Sequence, residues 1–491
     1  MATFMLILDL TVVNVALPDI RADFHSSFPA LQWVLDAYAL GLAIFLLTAG
    51  SIADRSGRKR TFNIGFIVFI LGSLACGLSH NVEMLSLSRA VQGIGGSVLF
   101  AVGPALIGQE YQGKDRAKAF GVFGGVVGLA IAFGPLIGGA LTSVSWRYIF
   151  LINVPVGILA LIISFSRVKE SRETAPRPVG WSGLVTFCFA LALLVLGFLR
   201  GEAEGWKSPV IVACFAASVI LFGAFFVLER RLGERAMLDL SLFHNRTFMG
   251  FSVVTILCAA AQMAAIFLEI SYVQNELGLT AWQAGVRFLP LTLTLFIAAG
   301  VVGLLTEKVP PAILLGASLS AISAGIGLVL LVTPNSGWTA LLPSMILLGL
   351  GMGLFQPPRA SLAISLVKPE KSGMSSGMNE TFLQVGTAVG IAAIGAFFQA
   401  RVSHLFDASP SGRALGGNIG DTVAAGGSRQ IVASIPDPEI AARVALAART
   451  AFTDGLHNAM VVCMIVAAVG ALVAFSFIRR RDMYVSDADL A

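Results

Sequence analysis

Asp54-Arg-Ser-Gly-Arg-Lys-Arg60 runs directly into Thr61-Phe-Asn-Ile-Gly-Phe-Ile-Val-Phe-Ile-Leu-Gly-Ser-Leu-Ala-Cys-Gly-Leu-Ser79, a charge cluster followed by nineteen residues without a charge. The hydrocarbon core of a bilayer is about 30 Å thick, and a helix rising 1.5 Å per residue crosses it in about 20 apolar residues. A basic cluster against such a run reads as a membrane-spanning helix with one end held in water. Outward from this point the pattern recurs at 3–20, 32–52, 82–107, 118–141, 146–165, 180–199, 209–228, 247–272, 282–305, 312–332, 340–366, 375–400 and 456–478. That gives fourteen stretches with 61–79, each bounded by charge or by a Pro/Gly-rich break. The first begins almost at Met1 and no small-residue cleavage site follows it, so a true span is expected there, not a removable signal peptide.

Composition supports this reading. Hydrophobic residues make up 56% of the 491, charged residues 12%, and mean hydropathy is +0.84. Soluble domains carry about a quarter charged residues, so ordinary soluble enzymes, coiled coils and disordered scaffolds are excluded. The 52 glycines follow no G-X-Y period, which excludes collagen. The net charge of +5 could suggest nucleic acid, but loops that stay in the cytoplasm collect Lys and Arg, and no nucleic-acid partner is expected. Cys76, Cys188, Cys214, Cys258 and Cys463 each sit in an apolar run with no CxxC pairing, as small buried hydrophobes. The five histidines share no helical face, so neither a metal nor a cofactor is expected.

Charge sets the orientation. With both termini inside, the predicted cytoplasmic segments hold 21 of the 33 basic residues, among them Arg55, Arg58, Lys59, Arg60 and Arg479–Arg481. The short outer loops hold only Arg21, Arg147, Arg200 and Lys207, and the long one at 401–455 holds five arginines. The chain also echoes itself at an offset near 255. Gly50-Ser-Ile-Ala-Asp54-Arg55 returns as Gly303-Leu-Leu-Thr-Glu307-Lys308, Gly93-Ile-Gly95 as Gly349-Leu-Gly351, and Gly121, Gly134 and Gly139 as Gly377, Gly390 and Gly395. Six spans precede residue 166 and six follow 247, with two between them. Two parallel six-helix repeats are a transporter architecture with the substrate path at their interface.

Four motifs then carry a resemblance over nearly the whole chain. The first span reads Leu8-Asp9-Leu-Thr11-Val-Val-Asn14-Val-Ala-Leu-Pro18. Gly50-Ser-Ile-Ala-Asp54-Arg55-Ser-Gly57-Arg58-Lys59 follows the second, and Arg89-Ala-Val-Gln92-Gly93 lies in the fourth. The fifth carries Gly121 and Gly134-Pro135-Leu-Ile-Gly138-Gly139, with Ala130 at a usual glycine position. With these motifs the chain resembles the major facilitator superfamily, and within it the fourteen-helix drug:proton antiporters. The resemblance implies an all-α integral membrane protein: a first six-helix half at 1–166, two inserted helices within 167–246, a second half at 247–478 with its outer loop 401–455, and a cytoplasmic tail at 479–491. It further implies proton-coupled efflux of lipophilic, cationic compounds by a monomer in a bacterial inner membrane, with a small-molecule substrate, protons and lipid as partners and no enzymatic activity. The alternatives are a dedicated exporter of one metabolite or antibiotic, a proton symporter, or a membrane sensor. The loop motif marks the superfamily alone; the fifth-span motif favours export.

The residues also have their own physics. An unpaired Asp9 at mid-membrane costs at least about 2.5–3.5 kcal/mol, and burial favours its neutral form, so it is expected either to take up and release a proton or to be a structural carboxylate satisfied by a neighbouring helix. Asp9 points opposite to Thr11, Asn14 and Pro18, which suits a central helix. Arg89, Gln92, Gly93 and Gly96 form one stripe that either holds a carboxylate proton-ready or packs helices. Asp54 can accept bonds from arginines and helix N-termini; the resemblance implies a latch made in one conformation only. Gly134-Pro135 should bend the fifth span. Glu269, on a stripe with Gln262, and Glu380, with Gln384 and Thr387, either line the path or lie solvated near a boundary; Asp36 is expected to be interfacial. Gly108–Asp115 nearly spells a phosphate loop and Gly93–Gly96 a dinucleotide turn, yet neither has the strand that chemistry needs. Energy is therefore expected from an ion gradient or the substrate's own. The 401–455 segment is expected to be a solvated connector, with a short helix at 436–452.

Overall fold

The computed structural model describes the chain except residues 27, 112, 171–180, 233–239, 307, 369–370, 417–418, 425, 480–481 and 484–491. Among the described residues there are fourteen helices of fifteen residues or more. The first six are α1 (Ala2–Phe24), α2 (Phe28–Ser56), α3 (Arg58–Gly77), α4 (Val82–Glu110), α5 (Gly113–Thr142) and α6 (Asn153–Arg167). α7 (Trp181–Glu204) and α8 (Pro209–Leu232) come next. The last six are α9 (Arg246–Ser271), α10 (Leu289–Leu305), α11 (Pro311–Leu328), α12 (Leu342–Ser365), α13 (Ser372–Asp407) and α14 (Pro438–Phe477). Helices are what such a sequence must form, because hydrocarbon offers no partner to an open backbone amide. Several starts are capped by side chains: Asn81 accepts from the Met84 amide, Asn245 from Thr247 and Phe248, and Asp437 from Glu439 and Ile440.

Eleven of these helices are long and apolar enough to cross a membrane. α1, α5 and α10 carry shorter apolar stretches, at Ala2–Val13, Lys118–Val127 and Leu289–Gly303. The expected run at 282–305 is divided: Ala281–Arg287 forms its own turn, and α10 restarts with Pro290 at its beginning, where a missing amide costs nothing. All five cysteines are buried and free, as their apolar settings suggested.

The packing order repeats along the chain. α2 packs on α4, α3 on α4 and α6, and α1 on α5; correspondingly α10 packs on α12, α11 on α12 and α14, and α9 on α13. The first six meet the last six where α2 and α4 lie on α13 and where α5 lies on α10 and α12. α7 leans on both α2 and α13 and pairs with α8. Thr48 on α2 and Cys188 on α7 are hydrogen-bonded at 3.4 Å along this seam.

The 401–455 segment differs from expectation. It forms three short helices (Pro410–Ala414, Gly420–Ala424 and Ser428–Ala433), and the turn expected at 436–452 is the start of α14, a single helix of 40 residues. At 1.5 Å per residue α13 and α14 reach about 54 and 60 Å, well past the hydrocarbon. Val444, Ala448 and Phe452 are buried in the same core as α9 and α12 because they fall on one face of α14, and Val423 and Ala424 of the short helix Gly420–Ala424 join them.

Candidate functional site

Asp9 is not an unpaired carboxylate. Helical spacing turns it from α1 toward α4 and α6, while Thr11, on the other side, lies against Gly134 of α5. Arg89 Nη1 donates to Asp9 Oδ2, and Asp9 Oδ1 accepts from Gln92 Nε2 at 2.9 Å and Asn153 Nδ2 at 3.1 Å. Arg89 also donates to Gln92 Oε1 (2.7 Å) and to the Val34 carbonyl (3.3 Å), and its guanidinium lies 4.0 Å above the Tyr38 ring. Gln92 donates onward to Ser73 at 2.7 Å. Arg89 and Asp9 are 1% and 2% exposed. The expected stripe Arg89–Gln92 therefore meets Asp9 directly and ties together α1, α2, α3, α4 and α6. Asn153 and Ser73 were not picked out in the sequence; an Asn near the start of an apolar span was the available signal for the first. The Asn14 side chain lies outside the described residues.

Glu380 and Glu269, on the last six helices, are also buried, not solvated. Glu380 accepts from Arg359 Nη2 at 2.8 Å, and Arg359 also reaches Asn379 and, at 3.2 Å, Gln356. Asn379 passes a 3.0 Å bond to Thr255 of α9. Gln384 is half-buried further along α13. The sequence reading missed Arg359, although Gln356 and Arg359 on α12 mirror the Arg89/Gln92 spacing of α4. Glu269 is fully buried: Ser344 of α12 donates to its Oε1 at 2.8 Å, while Oε2 has no partner. Asp36, expected at an interface, is 5% exposed and its Oδ2 is unpartnered, because α2 is covered there by its neighbours.

The loop motif forms a joint between the two sets of helices. Arg58 holds Asp54 Oδ1 with Nε (3.0 Å) and Nη2 (2.9 Å). The same carboxylate accepts from the first amides of α13, Gly373 N at 2.9 Å and Met374 N at 2.7 Å. A carboxylate on a helix N-terminus gains both from these free donors and from the helix dipole. Gly50 permits the approach: a Cβ there would stand 2.1 Å from the Gly373 carbonyl oxygen. Gly57 turns the chain with φ at +106°, and Glu170 caps the start of α3 through the Lys59 and Arg60 amides, both at 3.0 Å. Lys59 Nζ donates to the Phe165 carbonyl at 2.9 Å, and Arg55 is half-buried at the end of α2.

The fifth-span motif lies between the sets. Gly134 and Gly138 sit against Thr11 and Val12 of α1, and Gly124 on another turn touches Pro357 of α12. α5 runs as one helix through this region. Gly139 is half-buried; Gly121 and the Pro135 side chain lie outside the described residues. At the end of α1 away from Asp54, the Asp23 carboxylate accepts from Arg147 Nη1 at 2.8 Å and from Trp146 Nε1 at 3.0 Å, and these bonds hold it below the usual carboxylate range.

This repeated helix packing, with buried ion pairs in each set and a charged joint between them, defines a membrane transport protein of the two-bundle helical class. A family model of the Major Facilitator Superfamily matches residues 1–391, and the chain belongs to that superfamily. It is similar to Multidrug resistance protein Stp of Mycobacterium tuberculosis (strain ATCC 25618 / H37Rv), at 31% identity over 82% of this chain and 74% of that one. It is similar to the Tetracenomycin C resistance and export protein of Streptomyces glaucescens, at 32% identity over 82% and 75%. The crystal structure of the human organic anion transporter MFSD10 (TETRAN) covers 95% of this chain and 97% of its own, with TM-score 0.62. Its 13% identity speaks for the fold alone.

Proposed function

We propose that this protein exports lipophilic, cationic compounds against a proton gradient, by alternating access between two six-helix halves. The halves are residues 1–166 and 247–478, with two inserted spans in 167–246 and fourteen spans in all. Both termini then face the cytoplasm of a bacterial inner membrane, and the transporting unit is a monomer. The observation that carries this is the Asp54 joint. It links α2 to α13 through bonds that must break before that end can open, so it is a two-state element, not a general packing contact. Its Arg58, Lys59 and Arg60 support a cytoplasmic position for that end, where basic residues collect. The conformation described is then the one closed to the cytoplasm, from which cargo leaves and protons enter.

The relatives' names favour export over uptake, one for multidrug resistance and one for a single antibiotic. The second supports an alternative, a dedicated exporter of one compound. Each charge moved across 100 mV is worth about 2.3 kcal/mol, enough for roughly fortyfold accumulation. Everted vesicles from an exporter-deficient host test the proposal. Energised vesicles should take up a lipophilic cationic dye and lose it on addition of a protonophore; uptake that ignores the protonophore refutes proton coupling.

A further inference from the structure

We propose that the driving proton is carried by Glu269, and that it arrives from the outer solution past the clamp that Arg429 and Arg449 place on Glu276. This deepens the proton-driven export proposed above and rests on it.

Each set of helices buries an acid on its first helix, in unequal settings. Asp9 on the first helix of its set reaches the fourth (Arg89, Gln92) and the sixth (Asn153). Glu269 on the first helix of the other set likewise reaches the fourth, at Ser344. Ser344 follows Ser88, the neighbour of Arg89, at an offset of 256, the offset that relates Gly121 to Gly377. The difference is the cation. Asp9 has a guanidinium, and so has Glu380. Glu269 forms no ion pair among the described residues; the Ser344 hydroxyl donates to Oε1, and Oε2 has no partner at all. A lone buried carboxylate charge is far more costly than a buried carboxylic acid. The closed packing around Glu269 therefore requires the proton, which sits on Oε2 as O–H while Oε1 accepts from Ser344.

The way in is equally specific. Immediately beyond α9 the chain winds as a π-helical turn, Tyr272–Glu276, a widened geometry that recurs at functional sites. Arg449 Nε holds Glu276 Oε1 at 3.2 Å, and Arg429 donates to the Glu276 carbonyl at 3.3 Å. Both arginines belong to the 401–455 segment or its continuation into α14. Release of this clamp frees the turn above Glu269. The proton then bonds to Oε2 from outer water, and it leaves to cytoplasmic water when the Asp54 end opens.

Purified protein tests this in two ways. In proteoliposomes loaded with radiolabelled tetraphenylphosphonium, wild type should move the cation against its gradient when a pH gradient is imposed. Glu269→Gln should lose at least tenfold of that drive yet keep labelled-for-unlabelled exchange within about twofold, and Glu269→Asp should keep both. Second, in wild-type protein, dicyclohexylcarbodiimide, which attacks protonated carboxyls in apolar surroundings, should label Glu269 at least tenfold more than Asp9, with faster labelling in Arg449→Ala. A wild type indifferent to the pH gradient overturns the export proposal and this one with it. A driven wild type with an equally driven Glu269→Gln, or with label on Asp9 in place of Glu269, overturns only the carrier. Loss of exchange in both Glu269 variants assigns it to packing, and an unchanged labelling rate in Arg449→Ala removes the outer route.

Discussion

Asp9→Asn is the variant in which structure and sequence diverge most sharply. Read as a free acid, Asp9 could be neutralised with no loss of stability. In the structure the same change leaves Arg89, 1% exposed, with its charge uncompensated beside Tyr38 and Phe150. Removing one partner of a buried pair costs about 3–5 kcal/mol, which is between two and four powers of ten in the folded-to-unfolded ratio. The amide of Asn can still accept from Gln92 or Asn153, so the loss is mainly electrostatic. The double variant Asp9→Asn/Arg89→Gln removes both charges and should recover most of the deficit, with a coupling of more than about 1 kcal/mol between the two positions. Thermal unfolding in detergent, followed by intrinsic fluorescence and size exclusion, measures all four members of the cycle. Additive losses, or an Asp9→Asn protein as stable as wild type, would refute a charge-paired Asp9.

Three further outcomes follow from the geometry. Asp54→Asn should weaken the bonds to Gly373, Met374 and Arg58, each worth about 1.5–3 kcal/mol when charge-assisted, and shift the protein toward opening at that end; spin-label distances between α2 and α13 should lengthen. Gly50→Ala should do the same sterically, since its Cβ would stand 2.1 Å from the Gly373 oxygen, with no change of charge. Asp23, held low by Arg147, contributes stability that is present above its unfolded value of about 3.9 and is lost as pH falls through its lower folded value. Asp23→Asn should thus unfold more readily than wild type at pH 7, with the gap closing as pH falls through the lowered folded value of Asp23. Both side chains are more than a third exposed, so the effect should be small.

What was legible in the sequence was whatever depends on one segment at a time. Apolar runs between charges gave the helices, because the bilayer leaves a backbone no other form. The Asp54–Lys59 motif announced itself through a charge pattern no lipid-facing helix would keep. What was not legible were the partners. Whether Asp9 is free or paired depends on where α4 crosses α1, and nothing in either segment states that crossing. Glu380 and Arg359 are 21 residues apart on different helices, so no helical spacing could join them. The 401–455 segment misled for a related reason: its small residues look solvated in isolation, but Val444, Ala448 and Phe452 fall on one face once α14 begins at Pro438.

The buried charges are distributed in a way that itself argues for a division of labour. A transporter must hold each bundle rigid while letting one bundle tilt against the other, and these demands conflict if the same residues serve both. Here the ion pairs Asp9–Arg89 and Arg359–Glu380 join helices within one set, where a lasting bond costs nothing during tilting. Asp54 is bonded to both sets: Arg58 on its own side is a side-chain ion pair, while the bonds across to α13 are to two backbone amides. Amides freed when that joint parts can turn to water at the helix end, whereas a guanidinium freed inside a bundle would meet only hydrocarbon. Under the alternating access proposed above, the ion pairs within each set would stay made, and the joint that parts would use donors that solvent can replace.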